Sequence, residues 1–339
     1  MKNFLIIIVL YFSINRLTKF LKESSYNLKV AKKMDFLFLL RPITYLFIWL
    51  VLCIGMYIPN LIYDNIQLFI KDFNFNTFMF FISVTLFCVF YLVNDQLVKV
   101  NNSYLLKKKY DDVFLDKMKK ISFLLSVLLM VFVCWPLIFI LILFYLLSNK
   151  LFYAIKKISI KYVFYQLFSI VLLLYLGVYY QLYKDSSSFS LDVLIFSIPY
   201  ILTFISIYLI HFNHFINDVT FLSIKNISFT SLFFNSIALL LSLFFQDPLS
   251  STILTVMIFF NLYTVFRGEE KDFLRTVRYG LGILIFFVLI VYPMLLIPSF
   301  ILFYISKYYY WHRFDIHFPT FLVTKNTYCP IDLNLKGKK

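Results

Sequence analysis

The sequence predicts an all-α membrane protein, a polytopic bundle of about nine transmembrane helices, on three observations. Of 339 residues, 62% are hydrophobic and the mean hydropathy is +0.85, more apolar surface than one soluble core of this length can hide. Apolar runs long enough, or nearly long enough, to span a bilayer recur along the chain. The basic residues between those runs collect in alternate loops, the asymmetry expected of membrane topology.

The chain opens on a basic arm, 1–42, containing a largely apolar segment of eleven residues at 4–14. That stretch is shorter than the ~20 residues a span requires and lacks a small-residue cleavage site, so an interfacial or core helix is expected rather than a signal peptide. Spans are then expected at about 43–62, 76–93, 160–182, 192–212, 228–246, 249–266 and 279–306. The stretch 121–148 is long for one helix and short for two. Trp135-Pro136 in its middle is expected to break it into a tight hairpin, because proline lacks the amide the helix ladder needs. Counting it as two gives nine spans in a bundle over 43–306, followed by a polar tail, 307–339. With six glycines against 44 phenylalanines, packing through bulky side chains is expected, with little use of glycine crossings.

With the amino terminus inside, the cytoplasmic segments hold 24 Lys plus Arg and the opposite loops hold two, Lys71 and Lys184. This predicts a cell-membrane protein with a cytoplasmic amino terminus, and it makes the net charge of +15 a matter of topology, with no nucleic-acid partner. Six further basic residues from Lys307 onward fall outside in a nine-span count, so either the last run, interrupted by Pro293 and Pro298, turns back or a span is miscounted. Cys53, Cys88, Cys134 and Cys329 have no metal-ligand or redox spacing. No Asp, Glu, Lys or Arg falls mid-span; the interior polar groups are neutral, Gln166, Asn235 and Asn261 among them. That argues against ion-coupled transport and places any chemistry at the membrane surface.

Two polar clusters end spans on the basic side. The second span runs into Asn94-Asp95-Gln96-Leu97-Val98-Lys99-Val100-Asn101-Asn102, and the sixth into His214-Phe215-Ile216-Asn217-Asp218, with Lys225 following. At helical spacing Asn94, Asp95, Val98 and Asn102 share a face, as do His214 and Asp218. Either cluster alone reads as helix-terminal capping. Together they offer two carboxylates able to hold a divalent cation against a phosphate ester. Asp111-Asp112-Val113-Phe114-Leu115-Asp116, set among lysines, reads as a solvated amphipathic helix. Residues 308–314 read as an interfacial aromatic belt anchored by Arg313.

In this order the motifs resemble those of the UbiA-type intramembrane prenyltransferases over roughly residues 36–306. Leu40-Arg41-Pro42 opens the first span as that family's Arg-Pro does. Asn94-Asp95 stands where the family has Asn-Asp-x-x-Asp-x-x-x-Asp. Phe152-Tyr153-Ala154-Ile155-Lys156-Lys157 follows the fourth span, where the family tends to Tyr-Ser and a basic pair. Asn217-Asp218 stands where the second Asp-x-x-x-Asp motif falls. The resemblance implies transfer of an isoprenoid group from a prenyl diphosphate to an aromatic or polar lipid acceptor, with membrane lipid around the bundle. It implies Asp95 and Asp218 as catalytic Mg²⁺ ligands. Asn94, Asn102, His214 and Asn217, with the cations Arg41, Lys99, Lys156 and Lys225, would bind the diphosphate. Val98 and Asn102 replace two aspartates of the first motif, and His214 and Asn217 stand at or beside acidic positions of the second. Amide and imidazole supply no negative charge, which leaves a conventional two-metal site short of ligands. The same departures motivate the alternative of a non-catalytic descendant that binds isoprenoid lipid or scaffolds a membrane complex.

Overall fold

The computed structural model describes residues 30–39, 42–63, 74–98, 112–154, 160–215, 224–267 and 270–314. Among them 92% are helical and none is in a strand. In chain order the helices are α1 (Asp35–Leu39), α2 (Ile43–Tyr63), α3 (Phe75–Val98), α4 (Asp112–Val133), α5 (Leu137–Ala154), α6 (Ile160–Lys184), α7 (Leu191–Phe215), α8 (Ile224–Phe244), α9 (Pro248–Arg267), α10 (Glu270–Val291) and α11 (Leu296–Phe314). They divide into two units, 44–297 and 1–43 with 298–339.

The larger unit inverts the polarity of a soluble protein. Phe132, Phe244 and Phe266 point outward, more than four-fifths exposed, while Ser83, Ser126, Ser206, Ser231, Asn235 and Ser242 are fully buried. In water that exchange would be costly; in lipid, tails solvate the phenylalanines and small polar side chains let helices approach and hydrogen-bond. Among the described residues, five helical stretches are long and apolar enough to cross a membrane: Tyr45–Tyr63, Leu167–Lys184, Leu191–Leu209, Asn226–Phe244 and Pro248–Arg267. The broken pair at α10 and α11 raises the count to six. The chain is thus a multi-pass helical membrane protein. Phe75–Val89 of α3 and Leu137–Leu146 of α5 add shorter apolar stretches, and α4 opens on charged turns. There Lys120 pairs with Asp116 at 2.8 Å, one helical turn apart, and that hydrogen bond holds the exposed Asp116 carboxyl below its ordinary range. The solvated reading of this segment fits that pair.

The expected break at Trp135-Pro136 is present, with Leu137 N–H bonding back to the Cys134 carbonyl and Ile138 N–H to that of Trp135. Phe123 of α4 stacks on Tyr145 of α5 at 4.2 Å, so the two helices fold back on one another as a hairpin. Phe87 of α3 packs against both, 5.1 Å from Phe144 and 6.3 Å from Phe123. The run expected over 279–306 is also broken. It stops at Tyr292, before Pro293 and a single turn of 3₁₀ helix, Pro293–Leu295.

Glycine is used more pointedly than its scarcity suggests. Gly55 of α2 and Gly177 of α6 face each other, and a Cβ on either would overlap a carbonyl oxygen of the opposite helix, Leu174 or Leu52. This one crossing takes two of the six glycines and packs backbone on backbone.

Contacts near helix ends give the bundle its direction. Tyr57 of α2 and Tyr200 of α7 both reach Asp247, between α8 and α9. Tyr63 reaches Ser188 and Ser190 before α7. Tyr180 of α6 bonds Thr77 and stacks on Phe80 of α3. The last turns of α2, α6 and α8 and the first of α3, α7 and α9 therefore share one end. At 1.5 Å per residue, α3 and α7 run roughly 36 Å and finish at the other.

In the smaller unit, Asp35 of α1 accepts hydrogen bonds from Tyr309 at 2.9 Å and Arg313 Nε at 3.1 Å, and Phe38 stacks on Tyr309 at 3.7 Å. The stretch expected as an interfacial belt is instead a core: Tyr309, Tyr310, Trp311 and His312 are buried, and Arg313 answers Asp35. The physical reason is the acid at position 35, which gives the arginine a partner within the protein.

Candidate functional site

Two polar constructions lie inside the larger unit. The first centres on Asp247, which is 2% exposed. Gln246 ends α8 in the left-handed region at φ 54°, and Asp247 N–H closes the turn on the Ser242 carbonyl at 2.9 Å. Asp247 then caps α9. Its Oδ1 accepts from Leu249 N–H at 3.1 Å and Ser250 N–H at 3.3 Å, with Pro248 in the first helical position, where a missing amide costs nothing. The Tyr57 hydroxyl donates to Oδ1 at 3.3 Å and that of Tyr200 to Oδ2 at 2.6 Å. Four donors from three parts of the chain thus occupy one carboxylate. Such a group clamps helix ends together and has little left to offer a ligand.

The second is a seam along α8. Ser228, Ser231, Asn235, Ala238 and Ser242 recur at three- and four-residue steps, so they fall on one face, and all are buried. The opposite face carries Phe229, Phe233, Leu240 and Leu243, all exposed. The Ser231 hydroxyl shares a 2.6 Å hydrogen bond with that of Ser206 on α7 and donates to Asn261 Oδ1 on α9 at 3.4 Å. One turn beyond Asn261, Thr264 bonds Thr276 of α10 at 2.8 Å, and Thr276 bonds the Asp272 carbonyl at 3.0 Å. Asp272 is buried and pairs with Arg267 at 3.6 Å. Four helices are thereby joined by short polar side chains. Ser228 Oγ, both side-chain polar atoms of Asn235 and Asn261 Nδ2 have no hydrogen-bond partner among the described residues.

The residues expected from sequence to form a diphosphate site belong to neither construction as far as they are described. Asn94 and Asp95 sit in the last turns of α3, His214 near the end of α7 and Lys225 at the start of α8; only their helix backbone is described. Arg41, Lys99, Asn102, Lys156, Asn217 and Asp218 lie outside the described residues, as does the tail from 315. The backbone puts the Asn94-Asp95 and His214 termini at the same end, opposite Asp247. Among the described residues no three His, Cys, Asp or Glu gather as a metal group. No family model, curated protein or solved structure matches the chain.

Sequence reasoning overlooked Asp247 although a signal was present. Asp-Pro directly before an apolar run is a helix start, and the three- and four-residue recurrence of small polar residues in 228–242 is a buried face. Asn235 and Asn261 stand out in the sequence as interior polar groups; the hydrogen bond of Asn261 to Ser231, and through it the link to Ser206, needs the fold.

Proposed function

We propose that this chain is a divergent UbiA-like prenyltransferase with about nine spans, working at the cytoplasmic face of the cell membrane with its amino terminus on that side. The observation that carries the reading is the order of four motifs at the basic ends of successive helices: Arg41-Pro42, Asn94-Asp95, Tyr153 with Lys156-Lys157, and His214 to Asp218. It is supported by α3 and α7 finishing at the same end of the bundle. Arg41, Lys99, Lys156 and Lys225 bind the diphosphate of the donor and stabilise the charge that collects on it as the carbon–oxygen bond breaks. Asp95 and Asp218 orient that head, with Asn94, Asn102, His214 and Asn217 completing its hydrogen bonds.

The donor set fits one Mg²⁺ better than two. The carboxylates of Asp95 and Asp218 and the amide oxygens of Asn94, Asn102 and Asn217 are hard donors, but two acids are too few for a paired centre. When bound, the ion neutralises charge on the diphosphate; the four cations of the chain act on the same charge.

The test is transfer of a radiolabelled prenyl diphosphate into the lipid fraction of membranes carrying the full chain. Asp95→Ala and Asp218→Ala are each expected to slow it about 100-fold or more. Turnover untouched by both changes removes these residues from the site. Replacement of two first-motif acids by Val98 and Asn102 favours a second reading, a non-catalytic binder of isoprenoid lipid. It predicts no product with any donor and ligand binding indifferent to divalent cations.

A further inference from the structure

The α8 seam holds a mid-helix asparagine with both ends of its amide unanswered. Asn235 is 0% exposed, lies at the centre of Ile224–Phe244, and finds no partner for either Nδ2 or Oδ1 among the described residues. Asn261 on α9, whose Oδ1 takes the Ser231 hydroxyl one turn from Asn235, is in the same condition through Nδ2, and so, two turns further along α8, is the Ser228 hydroxyl. One such atom is an ordinary packing fault. Several on the joined faces of α8 and α9, next to the Ser206–Ser231–Asn261 chain, make a lined site.

The chemistry of the wall restricts what fits. Lipid tails offer no hydrogen bond, so these groups stay in hydrocarbon only with a polar partner. Ser228, Ser231, Asn235 and Asn261 carry no charge, so an ammonium or a phosphate would meet no counter-charge there. Asn235 leaves a donor and an acceptor open together, which a carbonyl alone cannot satisfy. We propose that the wall formed by Asn235 and Asn261, beside the Ser206–Ser231 hydrogen bond of α7 and α8, is an internal binding site for a neutral hydroxylic group, either water or the hydroxyl of a membrane-dissolved alcohol. The site is distinct from the transferase reading: it concerns the middle of the bundle and none of the residues assigned to the diphosphate.

The full chain, labelled with ¹⁵N-asparagine and embedded in phosphatidylcholine vesicles, tests this by solid-state NMR with transfer from mobile protons. Asn235→Leu identifies the signal, and Asn235→Gln serves if the leucine variant fails to fold. The site predicts that the Asn235 side-chain nitrogen receives magnetisation from water within milliseconds, or receives it only after dodecanol is added to the vesicles; the first outcome assigns water and the second an alcohol. An Asn235 amide that takes magnetisation from neither water nor dodecanol overturns the site. Prenyl transfer measured on the same samples stays independent of the result, so failure here and failure of the transferase reading are separable.

Discussion

The two ends of the bundle hold their acids in different company. At one, Asp247 is enclosed by the hydroxyls of Tyr57 and Tyr200 and the first amides of α9, with every contact made inside the protein. At the other, α3 finishes just past Asn94-Asp95 and α7 just past His214, and the proposed site adds Lys99, Asp218 and Lys225, which follow them in the sequence. An acid whose lone pairs are filled by its own fold is a clamp. In the proposed site, acids followed in sequence by cations meet an outside ligand, and the contrast turns on who supplies the donors.

Substitutions can break that contrast. Asp247→Ala has the largest expected effect on stability, because it strips the cap from α9 and leaves two buried hydroxyls unanswered. A loss of about 3 kcal/mol, read by thermal unfolding of the full chain in detergent, follows from those terms. Tyr200→Phe removes a single charge-assisted hydrogen bond and should cost about 1.5 kcal/mol. Ser206→Ala, which cuts one interhelical hydrogen bond of the seam, should cost about 0.6 kcal/mol. Asp95→Ala and Asp218→Ala should lie within about 0.5 kcal/mol of the parent while abolishing transfer. If instead they unfold the protein as Asp247→Ala does, both ends are structural and the contrast disappears.

Much of the fold is legible in the sequence, and particular residues explain why. The break at Pro136 could be read directly, because proline acts on its own helix whatever surrounds it. The helix starts at Ile43, Leu191 and Pro248 follow from apolar runs with polar punctuation. The Gly55–Gly177 crossing was hidden, since two glycines far apart in sequence declare nothing until the helices meet. The Asp35–Arg313 pair was hidden for the same reason and turned an expected interfacial belt into a buried cluster. The charged opening of α4, Asp112 to Lys120, was legible as a solvated amphipathic turn, because lysines and aspartates one helical turn apart pair on an exposed face. Of the candidate site, the sequence supplied the motifs, and the helix backbone brings two of them, Asn94-Asp95 and His214, to one end of the bundle.

That shared end is the claim on which the function depends, and a chemical ruler tests it. In a variant with Asp95→Cys, Asp218→Cys and Cys329→Ser, the remaining thiols Cys53, Cys88 and Cys134 are buried. A bis-maleimide spanning about 10 Å, the reach within which two carboxylates can serve one diphosphate, should link positions 95 and 218 within a single chain. Each cysteine reacting alone with a simple maleimide, while the pair stays unlinked, would contradict the account.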